Sequence, residues 1–302
     1  MLSDLFTPAF AQPAGSPIRE LFPYLSRPGM ISFAGGYPSP ALFDAEGLRE
    51  AAAQVFTDPA AALQYGPTEG QGPLRQALLA LSQQRGIQAE PDQLLVTTGS
   101  QQAFDLLVRV LVQPGDVVLV EAPAYPAALQ ALKLAGAQIV ELGMDAQGLQ
   151  TDAIEASLAQ LRAGTRPKLL YTVPTFSNPR GSLLPLARRQ ALVDLARRHG
   201  FLVIEDDPYG ELRFSDEAPT PLYALGRQRC GDDNPVVYLS SLSKTVAPAL
   251  RVGWMVAPAA LVRRCAIAKQ TADLCTSPLA QAVAARYLQS GRSPGAVAAP
   301  RA

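Results

Sequence analysis

Residues 201–212 read FLVIEDDPYGEL. Four apolar residues and a glutamate run into two adjacent acids, and a Pro-Tyr-Gly break follows. The run is continuously apolar rather than alternating, the pattern of a strand covered on both faces inside a parallel sheet. Six more short β-rich runs, most of them also continuously apolar, lie around it: QLLVT (93–97), VVLVE (117–121), QIVEL (138–142), LLYTV (169–173), VVYLS (236–240) and GWMVA (253–257). Helix-patterned stretches separate most of them. In 185–199, Leu186, Ala187, Gln190, Ala191, Asp194 and Leu195 recur at helical spacing, and 73–85 opens on Pro73 and stops at Gly86. Two further helices are expected at 258–272 and 278–289. Too little sequence separates the last two runs for a helical crossover, so an antiparallel pair is expected there. The fold class that follows is α/β: a three-layer α/β/α domain around a mainly parallel, seven-stranded sheet.

Composition narrows the function. The 302 residues carry 26 Lys and Arg against 26 Asp and Glu, so no net field draws the chain to nucleic acid or to an anionic membrane. No apolar run approaches the roughly 20 residues that span a bilayer. The N-terminal MLSDLFTPAFAQPAG has an acid at Asp4 and lacks a basic leader. Cys230, Cys265 and Cys275 have no CxxC spacing and leave an odd count. That argues against a disulfide framework or a zinc site and makes the cytoplasm the expected location. The one histidine, His199, closes a basic helix and reads as a solvated charge, which removes Ser-His-Asp and histidine–metal chemistry. Residues 1–34 are expected to be an arm, 35–290 the domain, and the small-residue stretch 291–302 a disordered tail.

In open α/β sheets, ligands bind beyond the carboxyl ends of the strands. The unusual polar clusters fall there: TTGSQQ after the first run, APAY after the second, PTFSNP after the fourth, DDPY after the fifth and SLSK after the sixth. TTGSQQ puts Gly99 and Ser100 at a strand-to-helix turn, a phosphate site or an ordinary helix cap. Neither a P-loop nor GxGxxG is present. The acids of DDPY could hold Mg²⁺, cap a turn or act on a ligand atom. On its own Asn178 reads as a turn residue, Tyr125 as packing and Arg251 as the partner of a surface acid. Lys244, within SSLSKTVAPALRVGW (240–254), changes that weighting. A lysine at a buried strand end is partly desolvated, which lowers its pKa and frees its amine to attack a carbonyl. Ser241, Ser243 and Arg251 beside it supply phosphate donors. An aldehyde bearing a phosphate, pyridoxal 5′-phosphate (PLP), meets both demands. Asp206 is then available for the pyridine nitrogen, Tyr125 for the ring face, and Asn178 and Tyr209 for the phenolic oxygen.

FAGGYPSP, LQYGPTEGQGPLR, TTGSQQAFDLL, EAPAYPAAL, SNPRG, EDDPYGELRF and SLSKTVAPALRVGW follow one another across about residues 30–290. In these motifs the chain resembles the fold-type I PLP-dependent aminotransferases of class I/II, above all the 2-aminoadipate and kynurenine aminotransferases and the effector domains of MocR-type regulators. The resemblance implies that Lys244 is the Schiff-base lysine and the base that moves the substrate proton. It implies Asp206 at the ring nitrogen, Asn178 and Tyr209 at the phenolic oxygen, Tyr125 on the ring, and Ser100, Gln101, Ser241 and Arg251 at the phosphate. Tyr65 would reach the phosphate site of a neighbouring subunit, which implies a homodimer. Gly36 and Tyr37, with Asn178, would meet the substrate. The implied reaction moves an amino group from an α-amino acid (aminoadipate, aromatic or branched-chain) to a 2-oxo acid, with 2-oxoglutarate the expected acceptor.

Members of that family are longer, and their small C-terminal domain carries the arginine that grips the substrate carboxylate. The present sequence stops before that region, so a complete cofactor site with impaired turnover is expected. Two other readings are weaker. A MocR-like sensor would carry a basic winged-helix domain, whereas about thirty non-basic residues precede the match here. Ser241 and Lys244 also satisfy SxxK, but the nearest KTG element is Lys244-Thr245-Val246, and an SxxK serine should open a helix rather than close a strand.

Overall fold

A computed structural model describes residues 35–162, 164–212 and 219–292, together with 3–11, 15, 20–25, 27 and 29–31 of the arm. Residues 293–302, most of the expected tail, lie outside the described residues. Eight strands form one sheet: β1 (Leu94–Thr97), β2 (Val117–Ala122), β3 (Gln138–Asp145), β4 (Gly148–Leu149), β5 (Leu169–Thr172), β6 (Leu202–Asp206), β7 (Val236–Ser241) and β8 (Gly253–Val256), in the order β1-β8-β7-β6-β5-β2-β3-β4. Strands β3, β2, β5, β6 and β7 are parallel neighbours, and β8 lies antiparallel between β7 and β1. Each of the seven apolar runs is a strand, and the last two form the expected antiparallel pair. The eighth strand corrects the expected count. At two residues, β4 is too short to show any period; it folds back on β3 through Gly148, whose φ of 95° suits glycine.

Alternate residues of the strands feed two cores. Val96, Leu119, Leu170, Val203, Val236 and Trp254 face one side, and Leu95, Val118, Tyr171, Ile204, Val237 and Met255 the other. Among the described residues, eight helices are longer than two turns: α1 (Ala45–Val55), α2 (Gly72–Gln84), α3 (Ser100–Leu111), α4 (Pro126–Leu134), α5 (Leu186–His199), α6 (Leu222–Cys230), α7 (Ala259–Ala272) and α8 (Pro278–Gln289). Leu74 and Leu78 of α2, Leu192 and Val193 of α5, Leu225 of α6 and Ala284 of α8 cover the first face. Leu106 and Leu107 of α3, Leu132 of α4 and Val262 of α7 cover the second, which completes the three layers. Burial of each such leucine contributes about 1.5–3 kcal/mol.

The apolar stripe expected on α5 is displaced. Leu186 and Ala187 are exposed, and the buried face is Arg189, Leu192, Val193, Leu195 and Ala196. A guanidinium sits in the middle of that face because fixed partners surround it, as described below. Gly200 ends α5 in the left-handed conformation, and His199 there lies 3.5 Å from Glu155 at the surface. All three cysteines are free thiols. No helix of the described residues is long and apolar enough to cross a membrane.

Candidate active site

Residues from the carboxyl ends of β1, β2, β5, β6 and β7 close around a cleft of about 470 Å³, with Gly36 and Tyr37 at one wall. At the end of β1, Gly99 takes φ 80° and α3 begins at Ser100 without a side-chain cap, so that Ser100 and Gln101 at its first turn line the cleft. Two glycines make this turn possible. A Cβ on Gly99 would fall 2.5 Å from Arg251 Nη2, and one on Gly253 would fall 2.5 Å from the Gly99 carbonyl carbon. Arg251 itself adopts φ 51° after the turn Pro248–Leu250. Its Nη2 donates to the Thr98 carbonyl at 3.3 Å and its Nη1 to Ser243 Oγ at 3.5 Å. Among the described residues it has no carboxylate partner. Ser241 Oγ lies 2.8 Å from Ser243 Oγ.

Behind the turn lies a group the sequence did not reveal. Lys269, wholly buried, donates to Gln102 Oε1 at 2.9 Å and to both Asp273 oxygens at 2.7 and 2.8 Å. Gln102 Oε1 also accepts from the Thr98 amide at 2.8 Å, so this cluster braces the start of α3.

Lys244 follows β7, half-buried. Its Nζ donates to the Gly36 carbonyl at 2.7 Å and lies 6.0 Å from the centre of the Tyr209 ring. Burial, and then the nearby Arg251 charge, lower its pKa. On the adjacent strand, Asp206 is 6% exposed. The Tyr171 hydroxyl donates to its Oδ2 at 2.7 Å, while Oδ1 has no hydrogen-bond partner among the described residues. Burial pushes the Asp206 pKa up to about 6, against the opposing pull of Tyr171 and the nearby Ser100 hydroxyl. Tyr171 was not anticipated either. The available signal was a tyrosine inside a fully apolar strand, whose hydroxyl must find a buried partner.

Asp207 points to the opposite face, as strand pleating requires, where Arg85 Nη2 meets it at 2.9 Å. The two acids therefore do not converge. Among the described residues, no group of three or more His, Cys, Asp or Glu side chains is placed to hold a metal. Across the cleft, Asn178 Nδ2 donates to the Tyr209 hydroxyl at 3.4 Å, and Tyr125, the residue before α4, lines the cleft wall. Tyr65 is the one anticipated residue outside the cleft; it is 79% exposed on the segment before α2. Ser241 closes β7 rather than opening a helix, which leaves the SxxK reading without its geometry.

A family model described as aminotransferase class I and II matches residues 34–292. Aromatic-amino-acid aminotransferase 1 of Thermococcus litoralis is 41% identical over 279 residues, 91% of this chain and 66% of its own length. The 2-aminoadipate transaminase of Thermus thermophilus is 41% identical over 290 residues, 94% of this chain and 70% of its own. The kynurenine aminotransferase of Pyrococcus horikoshii, solved in complex with PMP, superimposes with a TM-score of 0.91 at 39% identity, over 98% of this chain and 72% of that one. The chain thus spans about two thirds of the length of the curated relatives it matches. With identity of this order sustained over nine tenths of its residues and the same fold in the solved neighbour, the chain belongs to the family of class I and II aminotransferases.

Proposed function

We propose that the cleft binds PLP and that the protein moves an amino group from an α-amino acid to a 2-oxo acid. One observation carries this reading: a buried carboxylate, Asp206, keeps one oxygen unpartnered in the same cleft as the half-buried amine of Lys244. A buried acceptor without a donor is costly unless a ligand supplies one. A ring N–H held against Asp206 Oδ1 answers that demand, with Tyr171 fixing the other oxygen. Arg251, Ser100, Gln101, Ser241 and Ser243 would hold the phosphate, and among the described residues Arg251 has no competing carboxylate. Asn178 and Tyr209 would hold the phenolic oxygen, and Tyr125 would pack on the ring.

When bound, the cofactor supplies an aldehyde for an amine and a ring that accepts electrons from the substrate carbon. The lowered pKa of Lys244 raises the fraction of free amine, so that Nζ can take the proton from the substrate Cα. Nζ would have to leave the Gly36 carbonyl for that role, and Gly36 and Tyr37, on the wall of the same cleft, would meet the amino acid. The names of the relatives support aromatic amino acids and aminoadipate as donors; branched-chain amino acids as a further class and 2-oxoglutarate as acceptor are part of the proposal. In the same proposal the protein is a homodimer, in which Tyr65, exposed in the single chain, would reach the phosphate site of the second copy.

The test is direct. PLP-treated protein reduced with borohydride should carry a phosphopyridoxyl mass on the peptide containing Lys244, and Lys244→Ala should abolish it. An adduct on another lysine, or none in folded protein, overturns the assignment. Product assays with 2-oxoglutarate and each class of amino donor then rank the substrates.

A further inference from the structure

Two buried acids that this chemistry leaves unused lie on the face of β6 turned away from the cleft. Asp206 faces the site, while Glu205 and Asp207 on either side of it face two arginines. Arg189 Nη1 is 3.9 Å from Glu205 Oε1, and Arg85 Nη2 is 2.9 Å from Asp207 Oδ2, with all four side chains at most 3% exposed. Buried ion pairs are weak devices for stability, since apolar residues of similar volume often do as well. Their geometry says more.

Arg189 donates from Nε to the Leu184 carbonyl at 2.7 Å and from Nη2 to the Pro174 carbonyl at 2.8 Å and Thr175 Oγ1 at 3.0 Å. Its Nη1 donates to the Thr220 carbonyl at 3.1 Å. Pro174 and Leu184 are the two ends of one loop. The Leu184 amide donates to the Pro174 carbonyl and the Ser177 amide to the Ser182 carbonyl, both at 2.9 Å. Asn178 lies at the tip of that loop. Arg85 does the same for the next loop. It bonds Asp207 and, at 3.4 Å, Glu211, and Gly210 lies so close that a Cβ would fall 1.9 Å from Arg85 Nη1. Tyr209 belongs to that segment. The two loops meet in the Asn178–Tyr209 hydrogen bond.

We propose that Arg189 and Arg85 are positioning residues, whose guanidinium forks clamp the bases of these two loops and so set where Asn178 and Tyr209 meet over the cleft. The role rests on the PLP reading above, because that pair faces the phenolic oxygen. Lysine cannot replace either arginine, since one ammonium cannot span several fixed acceptors as a planar fork does.

The experiment loads the full chain with PLP and follows the pH midpoint of the visible band. Donors to the phenolic oxygen favour its charged form, so a loosened pair raises the midpoint. Arg189→Lys should raise it by about half to one pH unit. Adding Asn178→Ala to that variant should shift it less than Asn178→Ala does alone, because Arg189 acts through Asn178. An unchanged midpoint, or fully additive shifts, overturns the proposal. Since Arg189→Lys can fail to fold, hydrogen exchange on the cofactor-free wild type provides a second measurement. The Ser177 and Leu184 amides should exchange as slowly as those of β5, and fast exchange there also overturns the clamp. A wild type that never develops the band removes the PLP reading alone, and the exchange result still decides whether the loops are held.

Discussion

Asp206 and Asp207 have the same chemistry and adjacent positions, yet their loss should be read by different instruments. Asp206→Ala removes a carboxylate whose free oxygen faces the cleft and leaves only the Tyr171 hydroxyl to find a new acceptor. The expected result is a folded protein whose amino-acid half-reaction, followed by stopped-flow absorbance, slows by about two to three orders of magnitude. Asp207→Ala leaves Arg85 buried without its principal counter-charge. The expected cost is about 3–5 kcal/mol of stability, seen as a lower urea midpoint. Equal losses of half-reaction rate in the two variants would contradict this division of roles.

At the scale of elements, the junction of β8 with the start of α3 has no room to spare. Gly253→Ala would place a methyl 2.5 Å from the Gly99 carbonyl carbon and 2.6 Å from the Ser100 nitrogen, both backbone atoms. The strand or the turn must move, at about 1–3 kcal/mol. Weaker inorganic phosphate binding, measured by calorimetry, should accompany the lower unfolding midpoint; tight binding retained in Gly253→Ala would show that the turn does not depend on this contact. How much of this was legible varies by element. The seven strands were, because burial on both faces leaves a continuous apolar run, and so was the gathering of polar residues other than Tyr65 around one cleft, because parallel strands bring their carboxyl ends together. The α5 stripe was misread because Arg189 looks like a surface charge among the residues LARRQALVDLARRH. Its spacing to Leu192, Val193 and Ala196 was nevertheless that of a single helix face. Tyr171, Arg85 and Lys269 were hidden for a related reason. Tyr171 and Arg85 have partners far away in sequence, which leaves no local pattern. The Lys269–Asp273 pair, four residues apart, looks like an ordinary surface helix pair, and only the bond to distant Gln102 ties it to the site.

For the whole molecule, the buried acids predict an unusual pH dependence. Burial raises the pKa of Glu121 to about 7, of Glu205 to about 7 and of Asp206 to about 6. A carboxyl group with a raised folded-state pKa binds more protons folded than unfolded, so stability falls as pH rises from the ordinary carboxylate range through these values. The thermal midpoint of the cofactor-free protein should therefore drop between pH 5 and pH 8, and PLP should restore part of it at the upper end by giving Asp206 a partner. A midpoint that rises across that window would mean that these groups ionise freely in the fold. The sheet order carries a consequence for how the chain is made. Strand β1 has a single neighbouring strand, β8, and Leu94 pairs with Val256. At ribosomal speeds of roughly 5–20 residues per second, β1 therefore waits on the order of ten seconds for its partner to be synthesised. The Gly99–Ser100 turn hangs from β1, so a nascent chain cannot capture a phosphate there until β8 has emerged. Until then it depends on whatever shields its unpaired edge.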